Sequence, residues 1–100
     1  MFIEQVEFEN LSNPPPQFQR WKMRVVLHGD GFDDRAAPIQ VTVGEQNVEM
    51  IVPMVLENSI GGIQGFLVEV PQDGDVVSVG YADGPLFPTD FQFSNDLVVA

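Results

Sequence analysis

The 100-residue chain contains no cysteine, one lysine and one histidine. Without cysteine there can be no disulfide, thiolate nucleophile or cysteine-based zinc site, although the cellular compartment stays open. One histidine cannot supply the usual zinc ligands, and a Ser-His-Asp arrangement would have to use His28. His28 stands beside Gly29 at an outward strand position, no nucleophile elbow is present, and the serines are few: Ser12, Ser59, Ser78 and Ser94. Fifteen acids guarantee adjacent carboxylates. Most lie beside glycine or at outward strand positions, where water solvates them, so none is singled out for acid–base work. We expect a protein that is not an enzyme.

No apolar run is long enough to span a bilayer as a helix. The start, Met1-Phe2-Ile3-Glu4-Gln5-Val6-Glu7, lacks the basic and apolar segments of a signal peptide. If Met1 is the natural start, the expectation is a cytoplasmic protein or one carried in a virus particle. Basic charge is scarce: four cations face fifteen acids, for a formal net charge of −11. Such a surface repels nucleic acid and anionic lipid and suits basic partners or bound cations. A saline habitat is an equal explanation of the acidity.

What the chain does have is a series of short apolar runs, alternating or continuous, punctuated by Gly, Pro, Asn and Asp, with no helical period and no internal repeat. The alternation predicts strands over Phe2 to Phe8, Phe18 to His28, Ile39 to Val43 and Val48 to Val52, with a further short one at Met54 to Leu56. Others follow at Phe66 to Val70, Val76 to Tyr81 and Phe91 to Phe93, and the tail Leu97 to Ala100 adds an edge strand or docks on a neighbour. Pro53 demotes its surroundings to an edge or a strand switch. Gly29 to Pro38 and Gly61-Gly62 read as loops. Asp73-Gly74 reads as the tight turn of a hairpin between Phe66 to Val70 and Val76 to Tyr81. The prolines Pro14 to Pro16 form a stiff connector, with a docking segment as the alternative. One domain over residues 1–100 follows, with Trp21 and the phenylalanines expected between two packed sheets.

Several of these segments resemble the IPT/TIG group of immunoglobulin-like domains. They are Val6-Glu7-Phe8 before a proline-containing break, Val25-Val26-Leu27-His28-Gly29-Asp30-Gly31-Phe32, and Ile39-Gln40-Val41-Thr42-Val43-Gly44. Phe66-Leu67-Val68-Glu69-Val70-Pro71, Gly74-Asp75-Val76-Val77-Ser78-Val79 and Phe91-Gln92-Phe93 continue the pattern. Pro53 to Gln64 is longer than that pattern, and Trp21 is not part of it. The resemblance implies an all-β, two-sheet immunoglobulin-like sandwich of about seven strands, mostly used as a non-catalytic module.

Two residue groups are candidate sites. Calcium takes six to eight oxygens, and clustered Asp in glycine-containing loops is one source. Asp30, Asp33 and Asp34 form one cluster, and Asp73 and Asp75 a second. The simpler account is that they stabilise turns by bonding to backbone amides. Arg20, Lys22 and Arg24 share one strand face and are candidates, with Leu97, Val98 and Val99, for an interface to a protein partner or a second copy. The simpler account of the cations is pairing with acids of the same sheet, such as Glu7 and Glu9 or Glu45 and Glu49. The expected function is non-enzymatic protein–protein interaction, as a structural or accessory subunit of a virion, surface layer or enzyme complex. The alternative is a carbohydrate-binding module, with or without calcium, accessory to a polysaccharide-acting enzyme. It would use the aromatics in or beside loops, Phe32, Phe87 and Phe91.

Overall fold

Val6 and Phe8, then Met23, Val25 and Leu27, then Ile63 and Leu67, recur at every second position or a multiple of it. In the computed structural model these alternations lie on neighbouring strands of one sheet. The structure describes residues 1–11, 16, 19–32, 36–54 and 61–99, with the backbone alone at 54 and 97–99. The strands are β1 (Phe2–Asn10), β2 (Met23–Asp30), β3 (Ile39–Val43), β4 (Gln46–Asn47) and β5 (Glu49–Met54), followed by β6 (Gly62–Leu67), β7 (Val76–Tyr81), β8 (Leu86–Gln92) and β9 (Val98–Val99). One sheet has the order β5-β6-β2-β1-β9 and the other β4-β3-β7-β8. All pairings are antiparallel except β1 with β9, which run parallel.

The order β5-β6-β2-β1 facing β4-β3-β7-β8 is that of an immunoglobulin-like sandwich. The strand count is nine rather than about seven, because β4 and β9 are two-residue additions at sheet edges. Between the sheets lie Phe8, Met23, Val25, Leu27 and Leu67 from one side and Val41, Val43, Val77 and Phe93 from the other, all essentially solvent-free. Phe8 meets Phe93 edge to face, with ring centroids 5.0 Å apart.

Tertiary structure departs from the sequence expectations at several points. Trp21 is buried, but not between the sheets. It stacks on Phe66 at 5.0 Å, and Phe66 lies opposite Arg24 on the solvent-facing side of β6. Regular pairing of β2 begins only at Met23, so the alternation that would have turned Trp21 inward is not continued there. Gly29 and Asp30 are strand residues paired with Ile3 and Phe2 rather than loop residues. β6 is shifted towards the N-terminus, from the expected Phe66 to Val70 to Gly62–Leu67. Gly65 permits this: a Cβ there would stand 2.3 Å from Val48 Cγ1, so only glycine allows the chain so close.

Asp73-Gly74 does form a tight turn, with Gly74 at φ 95°. It closes no hairpin, because β6 and β7 belong to different sheets and the turn lies on the crossing between them. The expected short strand at Phe91 to Phe93 is longer, Leu86–Gln92, and contains Pro88. β8 is a sheet edge, where a missing N–H breaks no ladder. Pro53 likewise sits in the edge strand β5. Phe18, Val55 and Leu56, and Pro14 and Pro15, lie outside the described residues.

Both sheets run the same way between two ends. The β2–β3, β5–β6 and β7–β8 connections and Met1 share one end. The β3–β4 turn, the β6–β7 crossing and β9 share the other.

Candidate functional site

Arg20, Lys22 and Arg24 alternate in sequence, and each meets an acid of its own chain. Arg24 Nη2 lies 2.5 Å from Glu9, its direct neighbour on β1, and Arg24 also donates to Gln64 on β6. Arg20 reaches Glu49 at 2.9 Å, and its guanidinium lies over the Trp21 ring. Trp21 Nε1 donates to the same Glu49 carboxylate. Lys22 lies 3.3 Å from Glu69. Strand pairing brings together Glu7, Glu9, Arg24, Gln64 and His28, and places Glu49 opposite Phe66 beside Trp21.

In the Lys22–Glu69 pair the two side chains are 59% and 69% exposed. Water and salt screen such a pair, so it is worth about 0–1 kcal/mol. Lys22→Ala is accordingly expected to change unfolding free energy by no more than about 1 kcal/mol in a urea titration. A larger loss would mean that Lys22 has a structural role beyond this pair.

His28 Nε2 is 3.0 Å from Glu7, on the solvent-facing side of the first sheet. Among the described residues no serine or threonine hydroxyl is hydrogen-bonded to this pair. Thr89 Oγ1 is instead engaged with its own sheet, donating to the Val77 carbonyl.

Of the five candidate calcium ligands, the three described each accept a backbone N–H. Asp30 takes the amide of Gly31 at 2.8 Å, Asp73 that of Asn95 at 3.0 Å and Asp75 that of Gln72 at 3.0 Å. Asp30 lies at one end of the sandwich and Asp73 and Asp75 at the other, so strand geometry separates the two clusters. Asp33 and Asp34 lie outside the described residues. Among the described residues no group of three or more carboxylates or histidines is placed to hold a metal ion.

Of the three aromatics marked in or beside loops, Phe32 and Phe91 pack against the core. Phe87 is different: it lies within β8 and is 63% exposed. Its partner across the ladder is Val79, on the core-facing side of β7 and only 6% exposed. Phe87 therefore points towards the interior, and among the described residues nothing from the other sheet covers it. Beside it a cavity of about 320 Å³ is lined by Met1, Val79, Gly80, Tyr81, Gly84, Pro85 and Phe87. A second cavity, of about 420 Å³, opens at the same end of the sandwich among Phe32, Ile39, Ile51, Pro53 and Ile63. The sequence marked Phe87 as an aromatic in or beside a loop and missed the strand that carries it, because Pro85 and Pro88 hide that strand.

The other exposed large apolar residues are Met1, Phe2, Met50, Val52 and Val70. Met50 and Val52 lie on the edge strand β5, as Phe87 lies on the edge strand β8. In the candidate interface segment, Leu97 ends a 3-10 turn (Asn95–Leu97), and Val98 and Val99 form β9 beside Phe8 and Glu9 of β1.

No helix among the described residues is long and apolar enough to cross a membrane. No family model matches the chain, and neither a curated protein nor a solved structure matches it.

Proposed function

We propose that the chain is a non-catalytic protein-interaction module, a small structural or accessory subunit that docks on a larger assembly such as a virion or surface layer. The observation that carries this reading is where the exposed apolar side chains stand. Met50, Val52 and Phe87 lie on edge strands, with Met1 and Phe2 at the start of the sheet. Edge strands and apolar side chains beside them are what a sandwich uses to receive another chain. The IPT/TIG resemblance agrees, since such domains are mostly non-catalytic. The acidic surface favours a partner with basic groups at the rim of its contact.

A carbohydrate-binding module is the competing assignment. It needs exposed aromatic faces. Of the three aromatics it would use, Phe32 and Phe91 pack against the core and Phe87 is exposed. Trp21 adds none, since Phe66 and Arg20 lie against its ring. The deciding experiment presents the protein to a displayed random-peptide library and, separately, to a glycan array with and without calcium. Enrichment of peptides with no glycan binding is the expected result. Glycan binding with no peptide enrichment would replace the proposal.

Removal of residues 97–100 takes away β9 and leaves in place the described core side chains, from Val6 and Phe8 to Phe93. The truncated chain should keep its cooperative unfolding and lose affinity for the assembly partner. Unchanged binding would show that the tail is not part of the interface.

A further inference from the structure

Sheet edges are usually protected, because unpaired N–H and C=O groups invite another strand. Here β5 carries Pro53, a register irregularity and Met50 at a positive φ of 55°. β8 carries Pro88, and β4 is two residues long. The outer edge of β1 is protected only in part. β9 pairs with Phe8 and Glu9 and stops there. From Phe2 to Glu7 that edge has no proline and, among the described residues, no backbone partner on the side away from β2. Its one irregularity is the register shift between Ile3 and Gln5.

The uncovered stretch faces the exposed part of the other sheet. Along this side of the sandwich β1 and β8 are neighbours. In the half where β9 sits, Phe8 and Phe93 close the core. In the other half, among the described residues, the first sheet has no strand beyond β1, Phe87 points inward yet is exposed, and the 320 Å³ cavity opens between Met1 and Phe87. The first sheet is thus half a strand short, and the missing half would cover the exposed inward-facing aromatic.

We propose that the free edge of β1 from Phe2 to Glu7 receives an extended segment of a partner protein. The segment pairs by its backbone, places alternate apolar side chains over Phe87 and into the adjoining cavity, and carries basic residues at its outward positions. The alternation follows from strand geometry. The basic outward positions follow from the exposed Glu4 of β1 and the net charge of −11. That the same edge already holds β9 shows that it is shaped to take a strand. The inference rests on the interaction reading above and gives it a surface and a partner chemistry.

The test uses the full chain and a synthetic peptide of alternating valine and lysine. A second peptide of the same sequence is methylated at alternate backbone nitrogens. Nuclear magnetic resonance should show slowed amide exchange within residues 2–7 and shifted signals at Val79 and Phe87. Both effects should be lost with the methylated peptide and weakened by Phe87→Ser, whose exposed site makes misfolding of that variant unexpected. Shifts elsewhere, or binding that survives methylation, would overturn strand addition. If the peptide library still enriches binders in that case, the interaction reading survives. If it does not, both fall. A concentration-dependent dimer protecting the same amides, detected by light scattering, would overturn the partner assignment in favour of a second copy.

Discussion

Phe8→Ala is expected to lower unfolding free energy by about 3–5 kcal/mol, the range for removing a fully buried aromatic side chain. Phe8 has no exposed surface and meets Phe93 edge to face at the point where both sheets converge. Truncation would remove apolar contact, leave a cavity and deprive the Phe93 ring of its partner. The neighbours Met23 and Val25 belong to a paired strand and cannot simply collapse inward, so little of the loss should be recovered. Urea unfolding followed by circular dichroism reads the change as a lower midpoint at unchanged slope. A loss under about 1 kcal/mol would mean that the core is not organised around this pair.

Gly65→Val acts by the opposite mechanism. The position is in the middle of β6, and even the first side-chain atom would lie 2.3 Å from Val48 Cγ1 and 3.0 Å from the Glu49 carbonyl oxygen. Val48 is itself buried, and the Glu49 carbonyl belongs to the backbone of β5. Relief therefore requires β5 to move away from β6. Overpacking of this kind costs about 1–3 kcal/mol and occasionally more. The expected signature is spatially confined: faster amide exchange in β5 and β6, with β3, β7 and β8 retaining their protection. Uniform loss of protection would mean that the two sheets unfold as one unit from this site.

Alternation in the sequence made the central strands legible. Ile39–Val43 was found at its expected limits and Val76–Tyr81 likewise, because valines recur with period two between glycine-containing turns. Period two breaks down where a strand contains residues chosen for other reasons. Gly62 and Gly65 made the first part of β6 look like a loop, though close approach to β5 is what Gly65 permits. Pro88 concealed β8, since a proline is read as a strand breaker unless the strand is known to be an edge. The site was less legible still. The cation stripe Arg20-Lys22-Arg24 is plain in the sequence, but its acids Glu49, Glu69 and Glu9 come from three separate segments. Phe87 stands out only when its ladder partner is known to face the core.

The sequence by itself determined that the chain is all-β, acidic and without cysteine chemistry. Each of these follows from residue type and local period, which survive without knowledge of the fold. Only the tertiary structure decided which strands are neighbours, which edges are covered and which side of a strand an aromatic faces. Trp21 was turned outward onto Phe66, and Phe87 inward to a place left uncovered. Burial is a property of what lies opposite a residue. In a sandwich the opposite residue comes from a distant part of the chain, so local pattern cannot name it.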